Sequence, residues 1–491
     1  MAHLRARFVF VIFLVVAMAA LPPRTSAAEP ATRPNIVFIL ADDLAWNDLG
    51  CCGHPWHDTP HLDRLAREGM RFTRGYASAP ICSASRASLL TGKSPARLGF
   101  EFVTKDSPTP PAKHPLTPPD YTLELPLDEV TLAEALAAGG YTSCYLGKWH
   151  VSRHTGHYLG WSPTHGPRQQ GFAEGDPDFG GHAYAETKGG DAAGQRLDVG
   201  DYGEDTLADR AAAYIRAPHD APFFLYLAEY YVHLPFHRRA AWLEDKYRKR
   251  LPPDAAQDRA VYAAMVETLD HLVGRVLVAI DEAGLAERTL VVFTSDNGGH
   301  PEYAANGPLR GGKWNLYEGG IRAPWIARWP KHIAAGVTSD VPMVGYDLMP
   351  TLCAAAGVPP PAGVALDGVD LSPVMFGRAT SVAERALVWH FPYYHPETKY
   401  EQAPPAIGVD DFAISKTEPQ SAIRQGDFKL VHFYESDRDE LYDLSLDASE
   451  QHDLSREQPA RAAELRRALE DYLDKVQARR PTRRDSAAGQ G

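Results

Sequence analysis

The chain has 491 residues, of which 44% are hydrophobic and 23% charged, and this composition excludes disordered and fibrous proteins. Its formal net charge of -13 makes it a poor nonspecific binder of nucleic acid, so no nucleic-acid partner is expected. A chain of this length favours one large domain with a smaller domain attached.

The N-terminus has the pattern of a secretory signal peptide. Arg5 and Arg7 precede an unbroken apolar run that ends at Leu21, and the small residues Ala27 and Ala28 follow after Pro22 and Pro23. Residues 1–28 are therefore predicted to be a cleaved signal, which would export the mature protein to the periplasm or the extracellular space. The apolar run is shorter than the roughly 20 residues of a spanning helix, so no stable membrane insertion is expected. An uncleaved membrane anchor is the alternative.

The number of cysteines is odd. Five cysteines leave at least one thiol unpaired in an oxidising compartment, and that thiol is a candidate reactive group. The count alone does not say which cysteine it is.

Buried strands and helices alternate along residues 29–378. Apolar runs predict strands at residues 35–41, 141–146, 222–229 and 289–295. Helices are predicted at residues 59–69, 131–140, where Thr131 and Glu134 form a capping box, and 257–283. This alternation predicts an α/β domain with a large, mostly parallel sheet sandwiched by helices.

Polar residues follow each of these four strands directly. They are Asp42 and Asp43, the segment 147–150, the segment 230–233, and the segment 296–299. In open α/β sheets, ligands bind at the carboxyl ends of the strands. The sequence therefore predicts one shared site at this edge.

The sequence changes character near residue 378. Short strands are predicted at residues 387–391, 421–424, 428–433 and 440–444, and a helix at residues 458–477. Residues 379–480 are thus predicted to form a smaller antiparallel α+β domain, followed by a disordered tail at residues 481–491. Two long loops are expected at residues 104–121 and 154–203.

The most specific motif begins at Cys82. The segment Cys82-Ser83-Ala84-Ser85-Arg86, followed by a predicted helix and by Thr91-Gly92, resembles the signature of the formylglycine-dependent, arylsulfatase-type sulfatase family. This family belongs to the alkaline-phosphatase-like superfamily. Six further segments also resemble segments of this family and occur in the same order along the chain. They are residues 35–43, 147–150, 222–233, 295–298, 309–322 and 441–444. The resemblance therefore covers essentially the whole mature chain.

The resemblance implies the chemistry. A formylglycine-generating maturation enzyme would oxidise Cys82 to an aldehyde, whose hydrate is a geminal diol. The expected reaction is hydrolysis of a sulfate monoester on a carbohydrate, with S–O cleavage and a covalent sulfo-enzyme intermediate. The expected partner is a sulfated small molecule or a sulfated oligosaccharide. A position at a helix N-terminus would favour the bound anion. Ala84 replaces the more common Pro of the signature, which leaves open which maturation enzyme acts.

Hard oxygen donors make up the implied metal site. Asp42, Asp43, Asp296 and Asn297, with an oxygen derived from Cys82, match the family's metal ligands. Ca²⁺ is expected, and Mg²⁺ is possible, because no imidazole or thiolate ligand favours zinc. Asp42 and Asp43 alone, or Asp296 and Asn297 alone, would be more typical of a turn or a helix cap.

Five further residues match catalytic positions of the family. Lys148 would bind sulfate and His150 would hydrogen-bond the diol and take its proton. His233 would bind sulfate or protonate the leaving alcohol, and Lys313 would bridge sulfate and the leaving oxygen. Arg86 would hold the diol and pair with the metal carboxylates.

Two arginines near Lys313 are assigned differently. Arg310 and Arg322 are expected to form structural ion pairs. The catalytic cations Arg86, Lys148 and Lys313 would supply the local positive charge that an acidic protein needs to bind an anionic substrate.

The substrate and two rival functions stay open at this level. The aromatic segment 389–395 fits a sugar-stacking rim or an interdomain core equally well, and the loops 154–203 and 396–420 are expected to set specificity. One rival is a phosphoester or phosphonate hydrolase of the same superfamily, which Asn297 in place of a histidine disfavours. The other is a non-catalytic protein that binds sulfated glycans and keeps Cys82 as a thiol.

Overall fold

The structure is a computed structural model that describes residues 33–104, 114–156, 159–175, 197–202, 206–234, 236, 240–253, 255, 257–304, 306–395, 403–404 and 416–484. The predicted signal peptide, residues 1–28, lies outside these residues, as do large parts of the predicted loops 104–121, 154–203 and 396–420.

Strands and helices alternate through the described residues. The strands are β1 (Asn35–Ala41), β2 (Met70–Phe72), β3 (Gly75–Tyr76), β4 (Leu116–Thr117), β5 (Thr142–Gly147), β6 (Glu174–Gly175), β7 (Phe223–Ala228), β8 (Thr289–Ser295), β9 (Trp325–Arg328), β10 (Val337–Ser339), β11 (Met343–Val344), β12 (Ala386–Phe391), β13 (Gln420–Gln425), β14 (Phe428–Phe433), β15 (Arg438–Asp443) and β16 (Thr482–Arg483). The helices are α1 (Pro60–Arg67), α2 (Cys82–Thr91), α3 (Pro95–Leu98), α4 (Leu132–Ala138), α5 (Thr206–Arg216), α6 (Ala241–Arg250), α7 (Gln257–Glu282), α8 (Glu318–Ile321), α9 (Leu348–Ala355), α10 (Ser372–Met375) and α11 (Pro459–Lys475).

The large sheet has the strand order β10-β2-β9-β8-β1-β7-β5-β6 in the described part of the chain. Strand β9 runs antiparallel to its neighbours β8 and β2, and the other pairings of this sheet are parallel. The predicted fold class, a mostly parallel sheet with a smaller antiparallel sheet after it, is confirmed.

Both faces of the large sheet are covered by helices. Alternate residues of β1 point to opposite faces, so Phe38 and Ile39 belong to different core clusters. The Phe38 cluster includes side chains of α2, α4 and α9, and the Ile39 cluster includes side chains of α1, α5 and α7. Burial on both faces explains why β1, β7 and β8 read as continuous apolar runs.

The small sheet is antiparallel, with the order β12-β13-β14-β15. One face packs against α11, where Ile423 contacts the cluster of Leu465 and Leu469. The other face shares a core with the segment before α2, and that core contains Trp389 and Phe391.

The aromatic segment 389–395 therefore supplies core side chains. Trp389, Phe391 and Tyr393 are fully buried, and Tyr393 packs beside Phe102 with 4.8 Å between ring centroids. For these three residues the core interpretation is confirmed and the sugar-stacking interpretation is wrong.

The predicted tail needs a correction. Thr482 and Arg483, expected in a disordered segment, pair with Leu116 and Thr117 as an antiparallel ladder, while residues 485–491 lie outside the described residues. This polar segment shows no hydrophobic pattern, and it is held in place by backbone hydrogen bonds to β4. The domain boundary at residue 378 stays a prediction.

Across the described helices, none combines the length and apolar character needed to cross a bilayer.

Candidate active site

The carboxyl ends of four neighbouring strands form the base of the site. Strands β8, β1, β7 and β5 are adjacent, and backbone hydrogen bonds continue beyond their ends. The Asp296 N–H donates to the Ala41 carbonyl at 3.2 Å, and the Lys148 N–H donates to the Ala228 carbonyl at 3.0 Å. The polar segments that follow these strands therefore lie side by side, as parallel pairing requires.

Cys82 meets this edge at the first residue of α2. Its Sγ lies 3.4 Å from Asp42 Oδ1 and 3.9 Å from Asp43 Oδ1, and the side chain is buried. One ligand atom each from Asp42, Asp43, Cys82 and His233 falls within 4.8 Å of the others. A helix N-terminus, with its partial positive charge, thus faces two carboxylates across a small buried space.

Asn297 completes an oxygen-rich set. Its Nδ2 donates to Asp43 Oδ1 at 2.7 Å and to the Gly298 carbonyl at 2.9 Å. Its Oδ1 is buried and accepts no hydrogen bond from the described residues. A buried orphan oxygen is costly unless another group meets it. Together with the Asp42, Asp43 and Asp296 carboxylates, it fits a hard cation such as Ca²⁺.

Three buried cations pair with the three carboxylates. Arg86 donates from Nε to Asp296 Oδ2 at 2.9 Å, and its Nη2 lies 2.8 Å from the same oxygen. Lys148 Nζ lies 2.5 Å from Asp42 Oδ2, and Lys313 Nζ lies 2.7 Å from Asp43 Oδ2. The positive charge expected beside an anionic substrate is therefore concentrated around Cys82.

The carboxylates differ in their electrostatics. Burial alone would raise the pKa of Asp42. Lys148, His233 and Arg86 lower it by a larger amount, so its pKa lies well below the ordinary value. Burial, and then the charge of Asp42, raise the pKa of Asp296 to about 7. Crowded carboxylates resist full ionisation without more positive charge, and a divalent cation would supply it.

The two predicted histidines both have lowered pKa values, which favours their neutral forms. Burial, and then Lys148, lower the pKa of His150 well below its ordinary value, and His150 adopts a left-handed backbone with φ of 56°. Burial, and then Lys313, lower the pKa of His233 to about 4. His233 Nδ1 lies 2.6 Å from the Leu234 carbonyl, so this nitrogen carries the proton and donates it. Neutral imidazoles can accept protons in catalysis.

A glycine-rich segment brings Lys313 to the site. The Lys313 N–H donates to the Gly299 carbonyl at 3.0 Å, and the Gly298 N–H donates to the Gly320 carbonyl at 2.9 Å. A Cβ added at Gly298 would lie 2.0 Å from the Gly319 carbonyl oxygen. Only glycine permits this close approach, which places Lys313 beside the Asp296–Asn297 strand end.

The nearby arginines have the expected structural role. Arg322 Nε lies 2.6 Å from Glu318 Oε2, and Arg310 donates to the Tyr442 hydroxyl at 3.1 Å and lies 3.9 Å from Glu440. The prediction of structural ion pairs is confirmed for both.

His154 lies beside the site and was not predicted from the sequence. Its ring centroid lies 5.4 Å from that of His150, and its Nε2 lies 3.4 Å from Thr104 Oγ1. The one sequence feature that could have indicated His154 is its spacing from His150, in the pattern His-x-x-x-His. It is weak, because histidine pairs in loops are common and no regular strand or helix was predicted there.

Comparisons with known proteins point to one family. The family model described as Sulfatase matches residues 34–358, and the model described as N-sulphoglucosamine sulphohydrolase, C-terminal, matches residues 312–479. Arylsulfatase A of Homo sapiens is 37% identical over 403 residues, covering 75% of this chain and 72% of the relative. N-acetylgalactosamine-6-sulfatase of Rattus norvegicus is 36% identical over 383 residues, covering 71% of this chain and 67% of the relative. A solved structure, Ps i-CgsB in complex with k-i-k-neocarrahexaose, superposes with a TM-score of 0.69 at 27% identity, covering 90% of this chain and 93% of that one.

Proposed function

Because the chain belongs to the sulfatase family and is a sulfuric ester hydrolase, we propose that it hydrolyses sulfate monoesters of carbohydrates with a formylglycine made from Cys82. The observation that carries this proposal is the position of Cys82. It begins a buried helix, 3.4 Å from Asp42, in a space surrounded by Arg86, Lys148 and Lys313. A carbohydrate substrate is supported by the sugar named for one relative and by the oligosaccharide named for the superposed structure.

The site would bind Ca²⁺, with Mg²⁺ as the alternative. Asp42, Asp43, Asp296, Asn297 and an oxygen at position 82 would hold the ion, which would offset the negative charge of the sulfate oxygens. Hydrated formylglycine supplies a geminal diol, of which one hydroxyl can attack sulfur and the other can later expel sulfate.

The side chains around position 82 then have distinct roles. Lys148 and Lys313 would bind the sulfate oxygens, and Lys313 would also stabilise the leaving oxygen. Arg86 would orient the diol and hold Asp296. His150, neutral because it is buried beside Lys148, would take the proton of the second hydroxyl. His233 would bind sulfate or protonate the leaving alcohol.

The proposal also includes export and maturation. The pattern of residues 1–28 supports passage to the periplasm or beyond the cell. A formylglycine-generating enzyme would have to act on Cys82 before the chain folds, because the folded side chain is only 1% exposed.

Turnover of paired model substrates tests the proposal. The full chain, produced together with a maturation enzyme and supplied with calcium, should hydrolyse p-nitrophenyl sulfate faster than p-nitrophenyl phosphate. Cys82→Ala should abolish sulfate turnover, and an unchanged circular dichroism spectrum would show that its fold is kept. Faster phosphate turnover would favour the phosphoester or phosphonate hydrolase. Binding of sulfated oligosaccharides without any turnover would favour the glycan-binding protein.

A further inference from the structure

Two adjacent cysteines lie on a tight turn outside the active site. Cys51 and Cys52 belong to a single 3₁₀ turn, residues Gly50–Cys52, between β1 and α1. Both side chains are half-buried, whereas Cys82, Cys144 and Cys353 are buried. The turn is closed by Gly53, whose φ of 98° is favourable for glycine. Of the five thiols, this pair is the most accessible to a reagent in solution.

Backbone N–H groups of the turn donate hydrogen bonds to side chains at the start of α1. The Cys51 N–H donates to Asp63 Oδ1 at 2.7 Å, and the Gly50 N–H donates to Thr59 Oγ1 at 2.8 Å. The Cys52 N–H donates to the Leu49 carbonyl at 3.0 Å. The two thiols are therefore held on one short, anchored segment of backbone.

The surroundings make the two thiols unequal. The mutual interaction of the two thiols raises the pKa of Cys51 and lowers the pKa of Cys52; for Cys52, burial and Asp63 oppose this shift and Arg71 adds to it. Burial instead raises the pKa of Cys144 to about 12 and that of Cys353 to about 11. Since the thiolate is the nucleophile in exchange reactions, Cys52 is the preferred attacking group.

We propose that Cys51 and Cys52 form a reversible thiol–disulfide exchange site for small disulfides such as glutathione disulfide. The Cys52 thiolate attacks one sulfur of the small disulfide, whose S–S bond breaks and releases one thiolate. Cys51 loses its proton and attacks Cys52 Sγ, which releases the second thiolate. The two cysteines lose two electrons and two protons, and the small disulfide is reduced to two thiols.

The resulting bond would be easy to reduce. Neighbouring α-carbons across a trans peptide are about 3.8 Å apart, below the roughly 4.4–6.8 Å found in ordinary disulfides. Strained and exposed disulfides have the higher reduction potentials typical of labile bonds. The pair is therefore a reversible modification site and not a structural cross-link.

Peptide mass after incubation with glutathione disulfide tests the proposal on the full chain. In the wild type, the tryptic peptide that carries both residues should lose the mass of two hydrogen atoms and carry no adduct. Cys51→Ser should instead keep one glutathione on Cys52, because the resolving thiol is missing. Cys52→Ser should react at least about tenfold more slowly. Thermal denaturation midpoints would show that both variants are folded.

Three results would overturn the proposal: no reaction in the wild type, a stable glutathione adduct in the wild type, or modification of Cys144 and Cys353 at the same rate. The reaction needs no sulfate turnover, so its failure would leave the proposed sulfatase mechanism untouched.

Discussion

At the scale of single residues, Asp270 shows how burial changes a carboxylate. Its side chain on α7 accepts hydrogen bonds from the His61 N–H at 3.1 Å and the Leu62 N–H at 2.7 Å, at the start of α1. Burial raises its pKa more than these bonds lower it, and the pKa reaches about 7. An unfolded aspartate has a pKa of about 3.9. Between these values the folded state binds more protons, so this group's contribution to stability falls as pH rises.

Asp270→Asn should remove this pH dependence. Its free energy of unfolding, compared with the wild type, should increase by about 2 kcal/mol between pH 5 and pH 8, because only the wild type must ionise a buried group. Urea unfolding of both proteins at the two pH values measures the difference. A difference that stays constant with pH would contradict this explanation.

At the scale of secondary-structure elements, the start of α4 is fixed by its capping box. The Thr131 hydroxyl accepts a hydrogen bond from the Glu134 N–H at 3.3 Å, and the Glu134 side chain accepts one from the Thr131 N–H at 2.7 Å. The same hydroxyl donates to the Gln170 carbonyl at 2.8 Å. One side chain therefore caps a helix and ties it to a neighbouring turn.

Thr131→Ala should lower the free energy of unfolding by about 1–2 kcal/mol, because it removes the cap and leaves the Gln170 carbonyl without this donor. Thr131→Ser keeps the hydroxyl and should lose much less. Since α4 contributes no predicted site residue, kcat/KM should be unchanged in both variants. Equal stability of the alanine and serine variants would mean that the hydroxyl does not stabilise the helix.

The secondary-structure elements differ in how well the sequence predicts them. Strands β1, β7 and β8 were predictable because burial on both faces gives uninterrupted apolar runs, and the acids Asp42 and Asp296 mark where two of them end. Strands β2 and β10 have three residues each, too few to show a period. The core position of Trp389 depends on its partner β13, which the local pattern does not contain. The approach of Lys313 to Asp43 joins positions 270 residues apart, so only the family resemblance indicated it.

At the scale of the whole molecule, a buried ionic network joins the small sheet to α8 and to the segment that carries Glu450. Lys429 on β14 lies 3.0 Å from Glu318 Oε1 and 2.8 Å from Glu450 Oε1, and all three side chains are fully buried. Glu318 also accepts hydrogen bonds from Arg322 at 2.6 Å and from the Tyr76 hydroxyl at 2.8 Å. Correct docking of the small sheet therefore satisfies charges on both sides of the interface.

Lys429→Met should lower the free energy of unfolding by about 3–5 kcal/mol, because it removes the cation that the two buried carboxylates of Glu318 and Glu450 share. The double variant Lys429→Met/Glu450→Gln should recover part of this loss, since it removes one of those charges. Urea unfolding of the three proteins measures both effects. A loss below about 1 kcal/mol, as for an exposed ion pair, would show that this network does not stabilise the interface.

The central claim is that the active protein carries an aldehyde at position 82. The tryptic peptide of residues 75–86 isolates this position, because Arg74 precedes it and Arg86 ends it. Its mass should fall by the difference between a CH₂SH group and a CHO group. Across preparations made with and without a maturation enzyme, the aldehyde fraction should rise in proportion to sulfate turnover. Full turnover in a preparation whose peptide carries only the thiol would contradict the account.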